Sequence, residues 1–472
     1  MLRDRYTPVD LFALVPALEL RFEPELAELD RLVEDDQLFQ HIKSDLARRR
    51  PQTLRTGRPS TPVEVILRLL VIQHLYAWSY EQTEHFVNDS LVLRQFCRLG
   101  LAPVPHDTTL LRWAKLIQPQ TLHQLLERVT ALAQGLQVTR GRKLRIDSTV
   151  VETAVHYPTD SSLLADGVRV LSRLVDRARE VLKASAEACF RNRTRSAKQL
   201  AQRIYATAAV HASPTTTAER PALYRRLLEI AQASLRQARQ VQHRLASWSA
   251  DRAAQSADRA AQRLSTDLAH FGALLRQVCA QTERRVFGGE VVPAPDKVLS
   301  LFEPHTAVLR RGKARVPAEF GRKVLLDEVD GGLVTSYAVL VGNPPDAEQL
   351  PTSLAQHRAR FGRPPDVVTA DRAFHTAANE RVAVEQGVRC IAIPKPGALS
   401  PRRQAFERQP GFRRAYRFRA GIEGRISVLK RRFGLARCRY HGEAGMERWV
   451  GLGILAHNLR QISQVMALRQ AA

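Results

Sequence analysis

Three carboxylates stand where folding could give them chemistry. Asp147 lies inside "LRIDST", whose alternation and β-branched neighbours predict a strand, and Asp371 ends a second strand-like run, "VVTADRAF". Ligands of open α/β sheets collect at the C-terminal ends of strands, which makes both aspartates candidates for a site. The plain alternative is that each caps the turn that follows. Glu423 is odder. It is the one acid in "RRAYRFRAGIEGRISVLKRRFGLARCR", residues 413–439, among nine arginines and one lysine.

Tyr416, Arg419 and Lys430 stand at offsets of −7, −4 and +7 from Glu423. At 3.6 residues per turn these four positions share an arc of roughly 60° on one helical face. Such a face carries an acid flanked by a phenol, a guanidinium and an ammonium, with Arg425 and Arg431 close by. Gly421 and Gly424 bracket the glutamate although glycine weakens a helix, which suggests that another backbone, such as DNA, comes close.

The elements that must position these residues can be read in outline. Residues 1–135 read as short helices: Ser79 and Gln82 form a capping-box pattern, Asp107 suits an N-cap, and Pro62 is tolerable in a first turn. Arg55, Arg58, Arg94, Arg98 and Arg112 suggest a bundle that docks on DNA. The period changes at 140–160 to a strand, and residues 161–290 return to long helices, broken near 211–221, that suit an inserted hairpin or coiled-coil-like module. From 291 to 472 come a hairpin about Asp330–Gly332, two strand-and-helix alternations, the arginine-rich stretch and a last helix. A mixed α/β domain is thus predicted, split by an all-helical insertion. Asp160 and Asp166 read as caps of the insertion, Glu152 and Glu328 as solvated strand-face charges, and His156 and His375 as local hydrogen-bonding residues.

Composition narrows the partners. The 472 residues carry 72 Lys+Arg against 47 Asp+Glu, a net +25, which points to nucleic acid through counterion release. A membrane is not expected, because the most apolar run, "VEVILRLLVIQHLYAW", is broken by Glu64, Arg68, Gln73 and His74. Nor does "MLRDRYTPVDLF" read as a signal peptide. Five scattered cysteines without a CxxC pair argue against zinc and fit a reducing cytoplasm, with the protein on the nucleoid.

The spacing Tyr416-x2-Arg419-x3-Glu423-x6-Lys430 resembles the Y-x2-R-x3-E-x6-K signature of bacterial insertion-sequence DDE transposases of the IS4/IS5 type. "IDSTVVETAVHYPTDSSLLADGVRVL" and "TADRAFH" resemble their first- and second-aspartate regions, and "GRPSTPVEVILRLLVIQHL" their N-terminal domain. One departure is Ala373, where the family usually has glycine. The resemblance implies an RNase H-like catalytic domain whose triad maps onto Asp147, Asp371 and Glu423. These would hold Mg²⁺ or Mn²⁺, as two ions, for cleavage of phosphodiesters. It also implies that Tyr416, Arg419, Lys430, Arg425 and Arg431 face DNA, with double-stranded transposon ends and target as partners and at least a homodimer on DNA. A catalytically inactive, transposase-derived DNA-binding protein and a host nuclease on the same fold are the rival expectations.

Overall fold

Alternating β-branched residues and amphipathic helical runs build the chain much as its periodicity predicts. The computed structural model describes residues 2–4, 21–49, 52–56, 60–182, 191–207, 218–250, 255–309 and 318–472. Seven helices come first: α1 (Pro24–Val33), α2 (Asp36–Ala47), α3 (Val63–Leu75), α4 (Tyr80–Asp89), α5 (Leu91–Phe96), α6 (Asp107–Ala114) and α7 (Pro119–Gly135). Strand β1 (Lys143–Glu152) follows, then α8 (Asp160–Leu182), α9 (Thr194–Ala206), α10 (Arg220–Ala250) and α11 (Gln255–Val286). The remainder is β2 (Ala307–Leu309), β3 (Glu319–Val329), β4 (Leu333–Leu340), α12 (Leu350–Phe361), β5 (Val367–Thr369), α13 (Ala377–Glu385), β6 (Cys390–Ala392), α14 (Pro401–Arg408), α15 (Pro410–Arg432) and α16 (Glu443–Ala471).

Chain contacts divide these elements into two units, Met1–Ala154 with Leu309–Ala472, and Val155–Val308. In the first, β1 runs antiparallel to β3 and parallel to β5, β5 is parallel to β6, and β4 closes a hairpin on β3. Asp330, Gly331 and Gly332 make the hairpin turn, the two glycines at φ of +85° and +76°. The Asp330 carboxylate accepts bonds from the Arg140, Arg142 and Lys143 N–H groups, which ties the turn to the entry of β1.

The first 135 residues do not make a core of their own. Leu29, Phe39, Ile66 and Leu70 from the early helices share one apolar cluster with Leu144 and Ile146 of β1 and with Leu455 and Leu459 of α16. Helix α16 is buried on all sides over most of its length, so it lacks the one-sided pattern of a surface helix. On the other face of the sheet, Val151, Val324 and Leu326 pack with Leu429 and Phe433 from the C-terminal end of α15.

The second unit has its own core, drawn from all four of its described helices: Leu171 and Val175 from α8, Leu200 and Ile204 from α9, Leu227 and Ala231 from α10, Leu268 and Leu275 from α11. Four helices about one core replace the expected hairpin or coiled-coil-like module. The break near 211–221 lies mostly outside the described residues.

Several local expectations need correction. The N-cap of α6 is His106, whose ring accepts from the Thr108 N–H, and Asp107 is the first helical residue. Thr159, through its Oγ1, caps α8 against the Ser162 N–H at 3.1 Å. Asp160 instead holds Gln281 and Arg285, at 3.0 and 2.7 Å, and Asp166 pairs with Arg169 at 2.7 Å. The capping box of Ser79 and Gln82 forms as expected.

Candidate functional site

The alternation of β1 decides which side chains meet α15. Arg145, Asp147, Thr149 and Val151 point to one face. Arg145 donates to the Phe418 carbonyl of α15 at 2.7 Å, while Val151 joins the cluster with Leu429 and Phe433. Asp147 lies between these anchors and therefore looks at the middle of α15. Arg419 reaches it, with Nη2 at 3.3 Å from Asp147 Oδ2, and its Nη1 donates to Glu423 Oε1 at 3.1 Å. Asp371 closes β5, the parallel neighbour of β1, and accepts from the Ala373 N–H at 2.8 Å through one oxygen. The cap that sequence gives as its bland reading thus forms, and Asp371 still borders the site.

Asp147, Asp371 and Glu423 line one open cavity of about 980 Å³ together with Arg419, Lys430 and Arg431. Glu423 is the most open of the acids, with its side chain 68% exposed against 13% for Asp147. The three do not form a set with ligand oxygens all within 4.8 Å of one another. Among the described residues the set that does is Glu84, His106 and Asp107. There Glu84 accepts from the Asp107 N–H and His106 caps α6, so helix capping accounts for it. The donor set at the cavity still suits a hard divalent cation: it is all carboxylate, and a guanidinium already spans two of its members.

Other expected residues fall elsewhere. Tyr416 does not line the cavity; it packs toward Phe412, ring centroids 6.2 Å apart, beside Ala392 and Cys390. Arg425 turns inward, because two residues on from Glu423 is about 200° around the helix. It donates to Glu328 Oε1 at 3.0 Å and to His457 Nε2 at 2.9 Å, which removes it from a DNA-facing role. Glu328 is no solvated charge: it is fully buried between Arg145 and Arg425. Gly421 makes room for a side chain rather than for DNA, since a Cβ there would stand 2.1 Å from Arg145 Nη1. Gly424 faces open space.

Ala373 does not take a left-handed φ, so the change from glycine strains nothing. His375 pairs with Glu380 at 3.2 Å, and His156 lies near Asp166 at 3.7 Å, both local contacts. Arg94 and Arg98 are internal staples, the first to the Gly100 and Ala102 carbonyls and the second to Asp30 and Glu34. Arg55 and Arg112 are exposed, and Arg58 lies outside the described residues.

Sequence reasoning missed Lys323, Asn343 and Asp346 at the same cavity. The Lys323 ammonium binds Asp346 at 3.0 Å and the Pro344 carbonyl at 2.8 Å, which fixes the loop after β4 against the site. The available signal was "GNPPDAEQ" directly following a strand.

Among the described residues no helix is long and apolar enough to cross a membrane. Residues 16–116 match the family described as Transposase domain (DUF772), and residues 321–459 match the family Transposase DDE domain. Asp371 and Glu423 fall within the second match; Asp147 lies outside both. A curated relative, "Uncharacterized protein ORF8 in nfe locus" from Rhizobium meliloti, is 27% identical over 127 residues, 25% of this chain. The chain spans 59% of that relative's length. No solved structure matches. With a transposase domain ahead of β1, and a transposase DDE domain over the elements that bring Asp371 and Glu423 to one cavity, the chain belongs to the insertion-sequence DDE transposases.

Proposed function

We propose that the chain is a cut-and-paste DNA transposase with an RNase H-like catalytic domain, acting on the terminal inverted repeats of its insertion sequence. The observation that carries this is the meeting of Asp147, Asp371 and Glu423, from three separate elements, around one cavity with Arg419, Lys430 and Arg431 on its wall. In the first step a water oxygen attacks phosphorus at the element end, and the bond to the 3′ oxygen breaks to give a 3′-hydroxyl. In the second, that hydroxyl attacks a target phosphodiester and a target 3′ oxygen leaves, so the number of phosphodiesters is conserved. Bound magnesium or manganese, as a pair of ions, would activate the attacking oxygen and neutralise the leaving one.

The chain's own groups do the rest. The three carboxylates hold the positive charge that the reaction needs. Arg419 carries a planar fork that suits phosphate, and in this structure its two Nη atoms rest on Asp147 and Glu423. Lys430 and Arg431 add point charge along the same wall. The partners are duplex DNA at the element ends and target, engaged by a dimer or larger assembly on the nucleoid, with Arg55, in the turn after α2, and Arg112 of α6 as exposed contacts. The rival reading, a DNA-binding relic without catalysis, draws on the Arg419 guanidinium lodged between Asp147 and Glu423.

One experiment separates them. Purified wild-type protein should nick DNA carrying the element ends in a Mg²⁺-dependent way, and Asp371→Ala should abolish nicking while end binding stays near wild type. Cleavage retained by the variant refutes the site assignment, and a wild type that binds without cutting supports the relic.

A further inference from the structure

A second cavity lies in the first unit, away from the carboxylates, between the early helices and the N-terminal end of α16. It measures about 330 Å³, at the lower end of the small-ligand range. Its walls are aromatic: Trp78, Tyr80, Tyr440 and Trp449 all line it. Tyr80 and Tyr440 stack at 5.7 Å with planes 9° apart, and Trp449 meets Tyr440 edge-on at 5.0 Å. At the edge the aromatic surface continues outward, for Trp78 stacks on the exposed Tyr76 at 4.6 Å and tilts against the exposed Phe86 at 4.7 Å.

Every ionised group on the lining is a cation or a histidine: Lys115, Arg439, Arg448 and His441 line it, and no carboxylate does. Arg448 is half-buried and has no carboxylate partner among the described residues. Burial holds its pKa below the usual arginine value, so it gains by meeting an anion. Ala77, between Tyr76 and Trp78, takes the left-handed φ of 56° that glycine normally fills, and its carbonyl accepts from Arg439 at 3.4 Å. That strained residue sets the turn that brings both rings to the cavity mouth, and strain of this kind gathers at working sites.

Aromatic faces with unpaired cations and no acid are the chemistry that takes a nucleobase together with its phosphate. A duplex does not fit so small a cavity; a single unstacked nucleotide does. We propose that this pocket binds one unpaired nucleotide of the DNA on which the protein acts, the base against Trp78 and Tyr80 and the phosphate on Arg448 and Arg439. The proposal rests on the DNA-acting reading and adds a site distinct from the carboxylate cavity.

The test uses the full chain and a DNA duplex carrying one unpaired 2-aminopurine, beside the same duplex fully paired. Stacking quenches this base, so fluorescence reads occupancy directly. The unpaired probe should be quenched on binding and should bind about tenfold tighter than the paired one, which lies within the range that stacking one base on an aromatic ring supplies. Trp78→Ala and Arg448→Gln, both at the cavity's accessible side, should each erase that preference while paired duplex binds as before. Equal affinity and no quenching in the wild type overturn the proposal, as does a preference that survives both variants. A protein that cuts element ends yet shows no preference loses this site and keeps the transposase reading. One that prefers the unpaired base yet never cuts keeps the site and loses that reading.

Discussion

Arg145 and Glu328 stand directly opposite each other in the β1–β3 register and close a two-point ion pair from which solvent is shut out. Nε of the arginine meets Oε2 at 2.8 Å, and Nη2 meets Oε1. Arg425 of α15 joins the same carboxylate, and the spare Arg145 Nη1 grips the Phe418 carbonyl. Asp147 lies two residues beyond Arg145, and Glu423 two residues before Arg425. The buried trio therefore sets the distance between the two acids. Glu328→Ala should lower stability by about 3–5 kcal/mol, because two arginines then share a dry site without a counter-charge. Urea unfolding measures it, and a loss under 1 kcal/mol would show that water reaches the trio.

Gly421 and Gly424 should answer opposite ways to the same substitution. A methyl at 421 meets Arg145 Nη1, and that guanidinium cannot move without leaving Glu328 or Phe418. Gly421→Ala should then cost about 1–3 kcal/mol. A methyl at 424 meets nothing within 4 Å, so Gly424→Ala should stabilise α15 by about 1 kcal/mol. Equal effects on thermal unfolding would contradict the packing described for Arg145.

The strands themselves, the hairpin at Asp330–Gly332 and the helix bearing Glu423 were legible because each rests on short-range periodicity or turn chemistry, whereas the pairing of β1 with β3 and β5 joins distant segments. That the three acids meet at a cavity was legible only through the family signature, since nothing local brings residue 147 to 423. What misled was charge. Glu328 and Arg425 read as surface residues because sequence carries no sign of a buried partner 183 or 97 positions away. Helical offsets placed Arg419 and Lys430 well, yet Tyr416 found an apolar niche beside Phe412 that a wheel diagram does not contain. The early helices looked separable for a similar reason: their shared core with α16 is a contact between the two ends of the chain.

Arg419 stands where a divalent cation would compete for Asp147 and Glu423. Arg419→Ala should therefore tighten Mn²⁺ binding in the absence of DNA by roughly tenfold, about 1.4 kcal/mol. The same variant should cut element ends about a hundredfold more slowly, because a donor for the phosphate is gone. Calorimetric Mn²⁺ titration reads the first effect and a nicking assay the second. Weaker Mn²⁺ binding in the variant would mean that Arg419 organises the acids rather than occupying their place.

Arg431 and Arg425 are both arginines of α15, and only the first lines the carboxylate cavity. Arg431→Ala should weaken DNA binding across sequences and reduce the salt slope by about one, with stability within about 0.5 kcal/mol of wild type. Arg425→Ala should do the reverse, unfolding at lower urea while keeping the salt slope. Filter binding over a salt series alongside denaturation distinguishes the two.

The pH dependence of stability follows from buried histidines. Burial, reinforced by Arg425, pushes His457 down to about 3; burial alone does the same for His74, and His357 falls to about 4. Below pH 6.5 the unfolded chain protonates these rings while the folded one does not, so the unfolded state binds more protons. Stability contributed by the neutral rings is present above pH 6.5 and is lost as pH falls, by about 1.4 kcal/mol per unit for each ring. Asp327 and Glu447 act in the opposite sense. Burial raises both to about 7, so their contribution is lost as pH climbs from about 4 to 7 and partly offsets the histidines over that window. His457→Gln, which keeps an acceptor for Arg425, should shrink the stability difference between pH 6.5 and 5 by about 2 kcal/mol. Asp327→Asn should enlarge it by a similar amount, because it removes the offset and leaves the histidine slope. Urea unfolding at the two pH values decides the matter, and slopes that change in the same direction for both variants would mean that water, not protein, surrounds one of these groups.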